Sequence, residues 1–353
     1  MNIDRSAPVL VTGGNGYIAS WLVRYLLEDG IDVHATVRDP SNDTKVGHLK
    51  QLAKDTPGTL TLLAADLVQD GSFDEAMAGC ELVMHTASPF ALSVKDPQQD
   101  LVDPAVQGTR NVLESANRVN SVKRVVLTSS VVSIYGDARD LEQAPGDVFT
   151  EDDWNTTSTL SHQPYSYSKV VAERAAWKIA EAQDRWDLVV INPGFVLGPS
   201  LTTASDSASI STIMQFVDGR LLMGAPALEV GVVDVRDVAL AHIKAGFTPA
   251  AAGRHICVNR SMTFMDVGRV LRRQFGGRYL FPRLEAPKAM IWLAAPIGGV
   301  TRKYVATNVG YPLRFDTSKS RTELGMEFRP TETTIVEHFE QLIDDGIVRD
   351  RRR

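Results

Sequence analysis

Tyr165 and Lys169 stand four residues apart in the run Tyr165-Ser166-Tyr167-Ser168-Lys169. On a helix, residues four apart share a face, so this phenol and this ammonium can point into one site. Tyr167, two residues before the lysine, faces elsewhere. A tyrosine hydroxyl ordinarily titrates near pH ~10, too high for easy proton exchange at neutral pH. A nearby ammonium favours the phenolate, and lowering the pKa by about three units corresponds to about 4 kcal/mol of differential stabilisation. Such a pair does general acid or base chemistry. Taken alone, it is also what an ordinary surface pair on a helix looks like, so its surroundings decide.

A second candidate lies near the start of the chain, in Val9-Leu10-Val11-Thr12-Gly13-Gly14-Asn15-Gly16-Tyr17-Ile18-Ala19. The pattern reads strand, tight glycine turn, helix. Gly14-x-Gly16-x-x-Ala19 fits the dinucleotide fingerprint, with alanine in the tolerated last place. A Cβ at Gly16 would hold the backbone off a pyrophosphate, and the helix start supplies unpaired N–H groups for it. A plain strand–helix turn has the same look, but this one occupies the first βα turn, which is the context the motif requires.

The end of the next apolar run selects among dinucleotides. An NAD site places a carboxylate about 20 residues beyond the glycines. Here Arg38 occupies that region, and its planar fork of donors suits a 2′-phosphate. Lys45 adds a second positive charge. Asp39 complicates the reading, because a carboxylate there can neutralise Arg38 or take the ribose itself. The expectation is NADP(H). A third candidate is Ser130, which ends the apolar run 123–130. A serine beyond a strand's carboxyl end can orient a substrate carbonyl by hydrogen bonding, although a lone serine there is most often a turn former.

The elements that must position these residues alternate. Strands are expected at 9–12, 33–38, 59–65, 81–86, 123–130 and 188–192. Helical patterns cover 17–28, 72–78, 100–120 and 165–182. That rhythm predicts βαβ units, with a doubly wound parallel α/β sheet buried on both faces. From 194 the rhythm breaks into Gly, Pro, Ser and Thr. We read residues 1–193 as an NADP-binding Rossmann domain and 194–345 as a smaller mixed substrate-binding lobe, with a strand near 254–259 that can return to the main sheet.

At 353 residues, 44% of them hydrophobic and 23% charged, the chain has the make-up of a globular protein, which excludes disorder as its main state. A net charge of −6 gives no electrostatic reason to bind nucleic acid or an anionic membrane. Cys80 and Cys257 form no disulfide framework, and no Cys/His group has zinc spacing, so no metal is expected. The longest late apolar stretch, 290–300, is interrupted by Pro296, Gly298 and Gly299 and is too short to span a bilayer. A cytoplasmic location is expected. The triplets at 42–44 and 155–157 read as chance glycosylation matches, and the basic run 349–353 as a solvated end.

Together these segments resemble the extended short-chain dehydrogenase/reductase family, in its dihydroflavonol reductase, cinnamoyl-CoA reductase and yeast methylglyoxal (aldehyde) reductase branch. The resemblance covers nearly the whole chain. It is carried by VTGGNGYIASWLVRYLLEDG (11–30), ATVRDP (35–40), AADL (64–67), HTASP (85–89), GTRNVL (108–113), VVLTSS (125–130), YSYSKVVAE (165–173), NPGFVLGP (192–199), VDVRDVALAH (233–242) and FDTSKSRTELG (315–325).

The resemblance implies Ser130, Tyr165 and Lys169 as catalytic. It implies cofactor contacts from Gly13, Gly14, Gly16, Tyr17, Ile18, Arg38 and Lys45, from Asp66 and Leu67 beside the adenine, from Ala87, Tyr165 and Lys169, and from Pro193 and Val196 by the nicotinamide. Two departures argue against the plant substrates. Tyr135 stands where dihydroflavonol reductases carry asparagine, and HQPYSYSK (162–169) replaces the NWYCYGK signature of cinnamoyl-CoA reductases. Ser133-Ile134-Tyr135-Gly136 is similar to the sugar epimerases. The expected activity is NADPH-dependent reduction of an aldehyde or ketone to the alcohol. Alternatives are an NAD-dependent sugar-nucleotide epimerase or dehydratase, a hydroxysteroid-type dehydrogenase and a non-catalytic NADP-binding regulator. The expected partner is a small carbonyl substrate, with the chain as monomer or homodimer. Phe90, Tyr135, Phe195, Met214 and Phe216 are candidate pocket residues. His85 and His162 read as structural, and Trp21, Trp177 and Trp292 as core.

Overall fold

A computed structural model describes residues 1–88, 94–202 and 208–351. Phe90 lies outside them. The strands are β1 (Val9–Thr12), β2 (Val33–Val37), β3 (Leu60–Ala64), β4 (Leu82–His85), β5 (Arg124–Thr128), β6 (Asp187–Pro193), β7 (Phe195–Leu197), β8 (Glu229–Asp234), β9 (Gly253–Cys257) and β10 (Arg260–Thr263). The helices are α1 (Tyr17–Glu28), α2 (Asp43–Asp55), α3 (Asp74–Met77), α4 (Asp103–Arg118), α5 (Pro164–Ala180), α6 (Ala208–Met214), α7 (Val235–Phe247), α8 (Phe264–Phe275), α9 (Lys288–Ala294), α10 (Arg302–Asn308), α11 (Ser318–Glu323) and α12 (Thr331–Asp344).

Seven strands form one sheet in the order β3-β2-β1-β4-β5-β6-β9, and every pairing is parallel. This is the doubly wound Rossmann arrangement that the alternating pattern predicts. The continuous apolar runs follow from period-two side chains buried on both faces. Val9, Val11, Leu82, Met84, Val189 and Ile191 pack in one core with α1 and α7. Leu10, Val83, Val125, Leu127, Leu188 and Val190 pack in another with α3, α4 and α5.

A smaller mixed sheet, β10-β8-β7, belongs to the second half of the chain. Its apolar face meets α6, α8 and α12 around Phe339, which is fully buried and meets the rings of Phe275, Tyr279 and Phe281 at 4.8, 5.1 and 5.5 Å. The chain then recrosses: β9 pairs with β6, and α7 packs on α1. A cut at 193/194 therefore leaves one strand of the main sheet, β9, and one helix covering that sheet, α7, on the far side.

Boundaries differ from the sequence pattern at one consequential place. The expected strand 123–130 stops at Thr128. Ser129 N–H still donates to the Ile191 carbonyl at 2.8 Å, but Ser130 is the extended residue opening a 3-10 turn, Val131–Ser133. Among the described residues no helix is long and apolar enough to cross a membrane.

Candidate active site

Parallel strands bring all their carboxyl ends to one edge, and ligands of such sheets sit beyond that edge. Gly13 follows β1, Arg38 follows β2, Asp66 follows β3, Ala87 follows β4 and Ser130 follows β5, while Pro193 closes β6. One edge thus collects residues that are widely separated in sequence.

At the glycine turn, Gly13 has φ +66°, a conformation that glycine adopts freely, and a Cβ there would lie 3.0 Å from that of Ala87. A Cβ on Gly14 would lie 2.8 Å from that of Ala35. Gly16 N–H donates to the Gly13 carbonyl at 2.8 Å and Gly16 is the N-cap of α1 without a side-chain cap, so the helix start keeps open donors. Thr12 Oγ1 fixes the neighbouring loop, accepting from the N–H groups of Thr86 and Ala87, both at 3.1 Å. Ile18 packs against the α1 core. Tyr17 behaves differently: its hydroxyl donates to the Gly198 carbonyl at 2.5 Å, so its side chain ties α1 to the following loop.

Asp39 does not neutralise Arg38. Its Oδ1 accepts from the N–H and the hydroxyl of Ser41 at 2.9 and 2.6 Å, and these bonds hold its carboxyl below the ordinary range. Arg38 is exposed, and among the described residues no ion pair or hydrogen bond engages its guanidinium. Lys45, also exposed, stands in the first turn of α2. Asp66 is exposed and accepts from Val68 N–H at 3.1 Å, while the Leu67 carbonyl takes Asn111 Nδ2 at 2.7 Å. Val196 lies half-buried on β7.

Helix α5 delivers the phenol and the ammonium together. Lys169 Nζ lies 5.8 Å from the centre of the Tyr165 ring and donates to Ser88 Oγ at 2.9 Å, beside Ala87. Tyr165 is 50% exposed at this open edge. Ser130 Oγ sits 3.5 Å from the Pro193 carbonyl and caps Val132 N–H at 3.3 Å. Among the described residues no hydrogen bond joins Ser130 to Tyr165. The arrangement places a phenol, a charged amine and a hydroxyl around the crevice that the glycine turn opens.

One turn further along α5, on the stripe of Tyr165 and Lys169, lies Glu173, only 1% exposed. It pairs with Arg254 of β9 at 2.6 Å and accepts from Ser129, from Ser133 at 2.5 Å and from Asn192 at 3.0 Å. Arg254 also donates to the carbonyls of Glu151 and Asp153. This network ties the helix to the strand end that carries Ser130. The sequence reading did not single out Glu173 or Arg254; the only signal was a carboxylate continuing the four-residue spacing.

His85 is buried against Thr12 Oγ1 at 2.9 Å. Burial first, and then the Lys169 charge, push its pKa down to about 3, so it stands neutral. His162 is buried against Asp137. Of the proposed pocket residues, Tyr135 stacks on Phe149 at 5.1 Å and meets Phe315 edge-on, while Phe216 is core of the second lobe. Phe195 and Met214 lie half-buried against that same core. Trp21 is buried and Trp177 half-buried, as expected, but Trp292 is 37% exposed under the Arg302 guanidinium. Its short helix exposes Met290 and Leu293 as well. Among the described residues no His/Cys/Asp/Glu group could hold a metal ion.

The chain is 40% identical to a cinnamoyl-CoA reductase of Medicago truncatula over 340 residues, covering 95% of each chain. It is 37% identical to an anthocyanidin reductase ((2S)-flavan-3-ol-forming) of Vitis vinifera over 277 residues, 75% of this chain and 80% of that one. Among solved structures, yeast methylglyoxal/isovaleraldehyde reductase complexed with NADPH superposes with a TM-score of 0.76 at 26% identity, over 97% of this chain and 100% of that one. The model of the NAD dependent epimerase/dehydratase family matches residues 9–258. With its parallel sheet, its glycine turn and its tyrosine–lysine helix, the chain belongs to that family, the extended short-chain dehydrogenases/reductases.

Proposed function

We propose that the protein reduces an aldehyde or ketone to the alcohol at the edge where Tyr165, Lys169 and Ser130 meet. It is an NADP(H)-dependent oxidoreductase. The observation that carries the finer reading is Lys169, whose ammonium lies beside both the Tyr165 ring and Ser88. The edge fits a dinucleotide, because Gly13, Gly14 and Gly16 leave a bare turn at the start of α1 and Arg38 has no partner among the described residues. Bound NADPH supplies hydride to the carbonyl carbon.

The chain's own residues do the rest. Gly13, Gly14 and Gly16, with the first N–H groups of α1 at Tyr17 and Ile18, receive the pyrophosphate. Arg38 and Lys45 receive the 2′-phosphate, and Asp66 and Leu67 flank the adenine. Ala87, Pro193 and Val196 wall the nicotinamide end. Ser130 donates to the carbonyl oxygen, Tyr165 gives that oxygen its proton, and Lys169 stabilises the phenolate left behind. Residues beyond 194, apart from β9 and α7, enclose the substrate. Cys80 and Cys257 are buried free thiols, which suits a reducing cytoplasm.

The test is a panel of aldehydes and ketones with NADPH, followed by nicotinamide absorbance and product analysis. Stoichiometric NADPH loss with alcohol formation is the expected result. Tightly retained NAD with no net cofactor turnover overturns it in favour of an epimerase.

A further inference from the structure

Helix α5 starts from an unusual backbone. Gln163, the residue before Pro164, has φ 56° and ψ 57°. Among the described residues, the only other non-glycine with positive φ is Asp147. The left-handed region is disfavoured for any residue with a Cβ, and such conformations persist where the surroundings over-determine them. The helix has no side-chain cap, so its first turn, which carries Tyr165, takes its direction from whatever holds Gln163.

What holds it is specific. Gln163 Nε2 donates to the Gly136 carbonyl and to Asp137 Oδ1, both at 2.7 Å. Asp137 is 4% exposed. Its carboxylate also accepts from His162 Nε2 at 2.9 Å, from Thr307 Oγ1 at 2.8 Å and from Asn308 Nδ2 at 2.6 Å. Asn308 closes the circuit by accepting Ala138 N–H at 2.9 Å. Asp140 takes the Asp137 N–H at 2.8 Å, and Tyr304, a turn earlier on α10, feels the Asp137 charge. A buried carboxylate whose donors come from two lobes converges on the residue that launches the catalytic helix.

We propose that Gln163 and Asp137 are positioning residues for Tyr165, and that helix α10 of the second lobe is wired through them into the placement of the phenol. This rests on the reading of Tyr165 as proton donor. A displacement of α10 then reaches the phenol through the Asn308 and Thr307 donors.

The experiment compares Gln163→Ala, Gln163→Gly and Asn308→Ala with Tyr165→Phe in the full-length protein. It uses a carbonyl substrate that the NADPH panel shows to be turned over. Four quantities are read: kcat and KM, NADPH affinity by fluorescence, the pH at half-maximal rate in the reverse alcohol oxidation, and the melting temperature. Gln163→Ala is expected to lower kcat by about tenfold with NADPH affinity unchanged. It also moves the half-maximal pH upward, because the phenol leaves the Lys169 ammonium. Gln163→Gly recovers most of the rate, since glycine takes positive φ without an anchor. Asn308→Ala shows the same upward pH shift from the other lobe.

Unchanged kcat in Gln163→Ala overturns the proposal. So does a loss of rate with an unmoved pH midpoint and no recovery in Gln163→Gly, which marks a merely structural residue. If Tyr165→Phe keeps its rate, the proton-donor reading fails and the positioning role fails with it. If Tyr165→Phe is inactive and Gln163→Ala is intact, only the positioning role fails.

Discussion

Arg38 and Arg254 both leave strands of the same parallel sheet, and the structure treats them in opposite ways. Arg38 follows β2 at the carboxyl edge, exposed and without a partner among the described residues, while the adjacent Asp39 is turned to Ser41. Arg254 lies within β9, 6% exposed, paired with Glu173, hydrogen-bonded to two carbonyls and laid over the Trp154 ring at 4.0 Å. The same contrast separates Tyr165 from Glu173 on one helix stripe. Groups with unsatisfied bonding capacity gather at the edge, open to solvent. Directly beneath, Glu173 and Arg254 compensate each other, because an unpaired buried ion is far more costly than an exposed one.

Substitutions in the two regions should therefore fail differently. Tyr165→Phe is expected to lower turnover by about 10²–10⁴-fold, the range of general acid catalysis, with the melting temperature unmoved. Steady-state kinetics and a thermal melt check both halves, and a large stability loss would break the contrast. Glu173→Ala strands the Arg254 charge in the interior and should lower unfolding stability by about 3–5 kcal/mol, read by urea titration.

Acid sharpens the same contrast. Burial holds His85 at about 3, and His242 and His338 at about 4. Below the ordinary histidine pKa, the unfolded chain takes up protons that these residues refuse while folded. Stability is therefore fully present above about pH 6.5 and falls as pH drops toward 4, by about 1.4 kcal/mol per unit for each histidine. Urea midpoints at pH 7 and pH 5 test the sign. Arg38→Ala should cut the preference for NADPH over NADH by about tenfold through KM, with melting unchanged. The smallest effect belongs to Asp39→Ala. Its carboxylate serves the Ser41 turn, so the cofactor preference should hold within about twofold in a comparison of kcat/KM for the two nucleotides.

What the sequence disclosed was local. The glycine turn, the tyrosine–lysine spacing and the serine at a strand end each occupy a few consecutive residues, so chain geometry alone makes them visible. The alternating apolar runs likewise predict the parallel sheet. The supports were hidden, because Glu173 meets Arg254 across 81 residues and Asp137 meets Asn308 across 171. No periodicity announces a partner at such distance. Residue type misled where one identity serves two environments. Trp292, expected in the core, is exposed under a guanidinium. The return of β9 to the main sheet was legible in the apolar run near 254–259, whereas the packing of α7 on α1 was not.

Helix α1 has two duties. Its N-terminus frames the glycine turn, while Tyr17, its first residue, and Trp21, one turn on, donate to the carbonyls of Gly198 and Pro199, the latter at 2.8 Å. Any effort to retune substrate choice by rebuilding the stretch after β7 will therefore pull on the nucleotide shelf. Libraries at 198–200 should be screened at saturating coenzyme, or useful variants will be discarded for weakened coenzyme capture rather than poor chemistry.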